Sequence, residues 1–344
     1  MNLSVTAGSL KLKNPLILAS AAYTSTAAGL RQQVTRGYGA VITKTTTVLP
    51  LAGAPKPTVF WYDPEEKTLL SGAEALKNPG ADRMVEAITQ ASGPAAENGC
   101  LIIGSCTGNT LEEILSICRR FEVAGAAAIE LNMVCPSTGP HLGPEYARLG
   151  KWWAEDTERA VGLIQAVKRE VRIPVWSKLP LEKLINKPFL ATLEREARPD
   201  ACSFVGGRLP NLKIDLKSGR PLLPGNLLLR MEKKLPISPM VTGPIKPSTI
   251  LHTAYLAKLT HIPLVCSGDL TRGADILEAI MAGAAAAQVC KAVYKDIRAG
   301  ERILEQLAVV MERYGYTDLE SVRGCALAHL PDPPLLTVPG AKFE

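Results

Sequence analysis

Eight short apolar runs are spaced along nearly the whole chain, each followed by a stretch of helix-like periodicity. In order they are Leu16 to Ser20 (LILAS), Ala40 to Thr45 (AVITKT), Leu101 to Cys106 (LIIGSC), Ala127 to Asn132 (AAIELN), Pro174 to Leu179 (PVWSKL), Ala201 to Gly206 (ACSFVG), Pro263 to Gly268 (PLVCSG) and Ala286 to Ala292 (AAQVCKA). Runs that are apolar throughout, rather than alternating, suit parallel strands buried on both faces. Strands of that kind alternating with helices predict a (β/α)8 TIM barrel, whose active site is built where the strands end. Ser20, Lys44, Asn132, Lys178, Gly268 and Lys291 fall at such ends and are the first candidates for chemistry.

The remaining pattern fits around that barrel. Ser4 to Lys11 alternates with a turn at Ala7-Gly8, which predicts an N-terminal hairpin plugging the barrel bottom. Helical spacing predicts outer-ring helices over Ala81 to Ser92 and Leu111 to Val123, and a C-terminal amphipathic helix from Ile297 to Tyr314 with a short helical tail. Three connections are long: Thr46 to Pro79, with Phe60, Trp61 and Tyr62; Cys135 to Trp153, too rich in Pro and Gly to be helical before Ala154-Glu155; and Arg208 to Pro247. Loops of this length usually bind something. The second is the best candidate for a mobile active-site loop, and alternation in the third suggests a hairpin turned at Ser218-Gly219.

A length of 344 residues allows two domains, yet α/β barrels reach it as one, and one barrel domain over 1–344 is expected. Hydrophobic content of 47% with only 5% aromatic suits a core of Ala, Val, Ile and Leu and excludes fibrous and disordered classes. The first residues, MNLSVTAGSLKLKNP, lack the apolar segment of a signal or a membrane span, so a cytoplasmic protein without a membrane partner is expected. None of the 8 cysteines shows the CxxC spacing of zinc or iron–sulfur sites, so no metal is expected, and Cys106, Cys202 and Cys266 read as reduced core thiols. The net charge of +6 is dispersed, which argues against a nucleic-acid partner.

Lys44 and Lys178 end strands two and five, so the barrel brings both ammonium groups toward one pocket. Either they stabilise a phosphate, carboxylate or electron-rich ring, or each pairs with a loop carboxylate; lysine is seldom buried unpaired, which favours the first. Gly268 and Cys290-Lys291 end strands seven and eight, where barrels offer backbone N–H groups to a phosphate, although a glycine there can also simply make a turn. Cys135 is either an acid–base group or a packed thiol, and His141 and Glu145 on the same loop are its rivals. Asn132 either fixes an amide-like substrate or cofactor edge or caps the loop. Trp152-Trp153 either covers the pocket or packs under the loop.

ELNMVCP at Glu130 to Pro136, NPLILASA at Asn14 to Ala21, VITKT, WSKL, TGPIKP at Thr242 to Pro247 and the pair CSGDL with AGAAAAQVCKAV resemble the dihydroorotate dehydrogenases. The chain is more similar still to the flavin barrel of dihydropyrimidine dehydrogenase, over essentially its whole length. The resemblance implies an FMN-binding barrel that moves hydride between the flavin and a pyrimidine C–C bond. It implies that Ala19 and Ser20 lie by the flavin ring, that Lys44, Thr45, Asn132 and Lys178 bond its polar edge, and that Gly243, Ser267, Gly268, Cys290 and Lys291 hold its phosphate. Cys135 and Lys44 would be the catalytic pair, with Cys135 as acid–base residue; the dihydropyrimidine enzymes carry that cysteine further along the loop, where Tyr146 to Leu149 has none.

The chain departs from the family where pyrimidines are recognised. Gly72 within LLSGAEALKNPG stands for one asparagine, strand six closes in Phe204-Val205-Gly206 instead of an Asn-Thr pair, and only Asn132 survives. Stripping substrate hydrogen bonds removes selection for the substrate, so the expectation is an FMN-dependent dehydrogenase or reductase acting on a CH–CH bond of a small molecule other than dihydroorotate. The alternatives are a dihydropyrimidine or dihydroorotate dehydrogenase proper, or a non-catalytic subunit of a redox complex. A separate electron-transfer partner and a homodimer are expected from the family.

Overall fold

The computed structural model of the chain describes residues 1–56, 58–61, 63–68, 70–72, 74–136, 143–206, 209–210, 213–215, 220–222, 240–242 and 244–332. All eight apolar runs form strands: β3 (Leu16–Leu18), β4 (Ala40–Ile42), β7 (Leu101–Cys106), β8 (Ala128–Asn132), β9 (Val175–Lys178), β10 (Ala201–Val205), β15 (Leu264–Ser267) and β16 (Ala286–Val289). They close into one parallel barrel in the order β10-β15-β16-β3-β4-β7-β8-β9. Most ladders stop short of the runs that predicted them, because residues such as Ala19, Ser20, Lys44 and Thr45 turn off the strand into the loops. There they become the rim of the barrel mouth.

Leu16, Ile17, Ile42, Ile103, Ile129, Trp176, Phe204 and Val265 are all buried in one core between strands and helices. Truncating one of its aromatic side chains would cost about 3–5 kcal/mol. Helix starts are capped as their sequences ask: Thr26, Thr110 and Asp156 accept from the backbone N–H of Gly29, Glu113 and Arg159. The helix predicted to stop at Ser92 runs on through Gly93-Pro94 to Glu97, held by the buried Ala95. The helix after the Cys135 loop begins at Trp152, slightly earlier than its Pro and Gly content suggested.

The predicted N-terminal hairpin is present as β1 (Val5–Ala7) and β2 (Leu10–Leu12), paired antiparallel. Its turn at Gly8 abuts Asp200, the residue before β10, which puts the hairpin at the bottom of the barrel. The C-terminal tail locks onto it, with Arg323 Nη1 donating to the Thr6 carbonyl at 3.0 Å.

The long connections after β4 and β10 carry a sheet of their own that periodicity did not show. β5 (Val59–Trp61), β6 (Leu70–Gly72), β11 (Leu209–Pro210) and β14 (Met240–Thr242) pair antiparallel in the order β11-β14-β6-β5. The hairpin expected in the connection after β10 is formed by β12 (Lys213–Asp215) and β13 (Arg220–Leu222); the turn expected at Ser218-Gly219 lies outside the described residues.

Candidate active site

Buried polar groups gather at the carboxyl ends of the strands. Thr45 donates its backbone N–H to Ser20 Oγ at 2.9 Å and shares its hydroxyl with Ser105 at 2.9 Å, tying the ends of β3, β4 and β7 together. Ala19, beside Ser20, is buried and donates its N–H to the Val289 carbonyl of β16. Lys44 is only 8% exposed, and its Nζ lies 2.5 Å from Glu74 Oε2. Lys178 Nζ lies 4.0 Å from Glu130 Oε1.

Glu130 is fully buried inside the barrel. It accepts hydrogen bonds from Ser203 Oγ at 2.7 Å, Gln288 Nε2 at 3.0 Å and Ser105 Oγ at 3.5 Å, so it joins three other strands to Lys178 on a fourth. A buried carboxylate is tolerable only with such partners. Sequence reasoning quoted this residue within ELN without singling it out; the signal was there, as the one charge inside an otherwise apolar strand.

Lys44 and Lys178 stand at the carboxyl ends of β4 and β9, on the same mouth of the barrel. Burial pushes the Cys290 thiol up, while the ammonium charges of Lys178 and Lys44 pull it back down and Glu74 opposes them. All four groups therefore share one field at the mouth. Lys44 meets a loop carboxylate, Glu74, as the second of the two readings had it, whereas Lys178 approaches Glu130 of strand β8. Lys291 follows the same rule: it is 8% exposed, ion-paired to Asp269, and donates to the Thr68 carbonyl at 3.1 Å. Glu74 and Asp269 were not foreseen, because nothing in a loop sequence tells which cation a carboxylate will meet.

On the far side of the mouth, Gly206 and Gly268 close β10 and β15 against the helix Lys246–Ala257. A β-carbon on Gly268, whose φ is 130°, would lie 2.5 Å from Thr249 Oγ1, so only glycine lets this strand end pack so closely on the helix. Thr249 Oγ1 donates to the Gly268 carbonyl at 2.9 Å, Ser248 Oγ to the Gly206 carbonyl at 2.7 Å and Ser267 Oγ to the Phe204 carbonyl at 3.0 Å.

The loop residues settle differently from the rim. Asn132 spends its amide on the chain: Oδ1 accepts from the N–H groups of Val134 and Cys135 at 3.1 and 3.0 Å, and Nδ2 donates to the Cys135 carbonyl at 2.9 Å. It caps the loop after β8. Cys135 is half-buried against a small apolar cluster of Leu76, Tyr146 and Leu149. Trp153 is buried and donates Nε1–H to the Gly108 carbonyl at 2.7 Å, and Trp152 stacks under Arg159, so the pair packs beneath the loop. Glu145 is exposed, while His141 and Gly243 lie outside the described residues.

The dihydroorotate dehydrogenase family model matches residues 2–220 and 226–311. The chain belongs to this family. It is 31% identical over 298 residues to the dihydroorotate dehydrogenase B (NAD(+)) catalytic subunit of Methanocella arvoryzae, covering 86% of this chain and 89% of that one. It is 30% identical over 337 residues to the dihydroorotate dehydrogenase A (fumarate) of Limosilactobacillus reuteri, covering 93% and 98%. Among solved structures, DHODH of Eimeria tenella in complex with ferulenol superposes with a TM-score of 0.72 over 96% of this chain and 89% of that one, at 18% identity, a likeness of fold.

FMN is the cofactor of the family. The residues at this mouth fit it. The Ser20, Thr45, Lys44 and Lys178 edge offers hydroxyl, backbone N–H and ammonium groups for the oxygens and nitrogens of a planar ring. No helix among the described residues is long and apolar enough to cross a membrane.

Proposed function

We propose that the chain is an FMN-dependent oxidoreductase acting on a carbon–carbon bond of a small dihydropyrimidine-type ring, with dihydroorotate and dihydrouracil the first substrates to test. The observation that carries this reading is the placement of two little-exposed lysines, Lys44 and Lys178, at the carboxyl ends of two strands of one barrel, with the Ser20–Thr45 pair on the same rim, in a chain of this family. The relatives' names favour dihydroorotate over an unrelated substrate, and they lend no support to setting it aside on the missing asparagines.

When bound, FMN supplies a two-electron acceptor and donor for hydride. In this reading Ser20, Thr45, Lys44 and Lys178 hold its polar edge with Ala19 against the ring, and Ser267, Gly268, Cys290 and Lys291, with Gly243, hold its phosphate. Lys44 and Lys178 stabilise negative charge as it develops at that edge. Cys135 holds or releases the substrate proton at its thiol, on a loop shaped by Asn132. Electrons pass to a separate partner or a soluble acceptor; the relatives' names include both NAD(+) and fumarate. The working assembly in this reading is a homodimer.

The test is the visible spectrum of the purified protein followed by anaerobic titration with dihydroorotate and dihydrouracil. Bound FMN that either compound bleaches supports the reading. FMN that neither compound reduces removes the dihydropyrimidine class, and a colourless protein that cannot be reloaded favours a non-catalytic subunit.

A further inference from the structure

We propose that Glu74 is a specificity-determining residue that sets the pocket against carboxylate-bearing ligands and toward neutral rings. The inference rests on the barrel mouth being the small-molecule site, and within the dihydropyrimidine class it puts neutral rings ahead of dihydroorotate. The chain lays a carboxylate of its own on the pocket lysine, Glu74 Oε2 to Lys44 Nζ at 2.5 Å, with the two side chains only 20% and 10% exposed.

The backbone fixes that carboxylate in place. The Glu74 carbonyl accepts from the N–H groups of Ala54 at 3.1 Å and Lys77 at 3.3 Å. The next two residues, Ala75 and Leu76, take left-handed φ values of 49° and 60°, unusual for residues with a side chain. Such strain persists only where the surroundings enforce it, and it gathers at ligand sites. Here the enforcement is visible: Leu76 is buried against Tyr146 and Leu149, beside Cys135. The loop after β4 is thus clamped to the loop after β8 with the Glu74 carboxylate turned to Lys44.

Its charge is felt within the pocket, since Glu74 raises the pKa of both Cys290 and Tyr294. A ligand bringing its own carboxylate meets the Glu74 carboxylate beside the lysine it would pair with, a like-charge approach that complementary sites avoid. A neutral cyclic amide instead meets an acceptor for its N–H groups, and a hydrogen bond to an ionised acceptor is among the stronger kinds.

Calorimetric titration of the intact protein and of Glu74→Gln, each with and without added FMN, compares orotate, an anionic pyrimidine, with uracil, its neutral counterpart. The parent is expected to bind uracil at least as tightly as orotate, and Glu74→Gln to bind orotate roughly tenfold or more tighter than the parent does. A parent that prefers orotate tenfold overturns the proposal, as does a Glu74→Gln protein that binds orotate no better than the parent, including not at all. Should Glu74→Gln fail to fold, the parent's own preference between the two ligands decides. A protein that binds no flavin yet gains orotate on Glu74→Gln loses the redox reading and keeps this one; a flavoprotein that prefers orotate does the reverse.

Discussion

Gly150 presses directly on Cys135: a β-carbon at Gly150 would lie 2.1 Å from the Cys135 carbonyl oxygen, and its φ of 54° is one that side chains disfavour. Its N–H is anchored on Thr107 Oγ1 at 3.1 Å. The far end of the loop therefore sets where its first residue stands. Gly150→Ala is expected to destabilise the protein by about 2–3 kcal/mol through overpacking, and to slow flavin reduction by substrate. Thermal unfolding with single-turnover kinetics checks both, and a variant with unchanged stability would show that the loop does not depend on this contact.

Cys135 itself is proposed as the proton-handling group. Cys135→Ala should slow substrate-dependent flavin reduction by roughly 10²-fold or more, the usual contribution of a positioned acid or base. FMN binding should be unaffected. Unchanged reduction rates would return Cys135 to a packing role against Leu76 and Tyr146.

Glu130, fully buried, and Lys178, whose side chain is 14% exposed, approach to 4.0 Å. Removing one partner of such a pair commonly costs about 3–5 kcal/mol, because the other charge is left uncompensated. We expect Glu130→Ala to be strongly destabilising and Glu130→Ala with Lys178→Met together to cost less than the sum of the singles. Denaturation midpoints for the four proteins of the cycle measure this; additive losses would mean that the 4.0 Å approach carries no coupling.

Cys290 reports on the pocket's charges. Burial raises its thiol pKa, Lys178 and Lys44 lower it, and Glu74 raises it. The pH of half-maximal alkylation, followed by mass spectrometry at this residue, should move down in Glu74→Gln and up in Lys44→Met. Identical titrations in all three proteins would mean that these groups do not share a pocket.

Acid should loosen the start of the helix Ala299–Arg313. The Arg298 backbone N–H and the Arg302 guanidinium hold Asp296 below its ordinary 3.8, and Arg36 and Arg298 hold Glu301 below its ordinary 4.5. Both folded values are depressed, so the contribution is fully present above the unfolded values and is lost as pH falls through the folded ones. Tm should fall on acidification below about pH 4.5, less steeply in Asp296→Asn with Glu301→Gln than in the parent. Parallel curves would show that these groups are not linked to folding.

Much of the site was legible because strand-end chemistry is local. A buried parallel strand needs an unbroken apolar run, so the point where the run yields to Ser20, Lys44 or Lys178 marks the mouth directly. Asn132 was legible as a residue and ambiguous in role: its amide suits a ligand and a loop cap equally, and the structure shows it bonded to the N–H groups of Val134 and Cys135. The sheet β11-β14-β6-β5 left no signal, because its strands are 2–3 residues long and pair across distant loops.

The sequence by itself determined the barrel, the order of its strands and the residues on its rim, since each follows from which short stretches must be buried. Only the tertiary structure decided what those rim residues do for one another. Lys44 meets Glu74 from 30 residues away and Lys291 meets Thr68 from 223. A charge in a poorly solvated pocket takes whichever partner the closed chain brings within reach, and that choice is made by loop paths that no local pattern encodes.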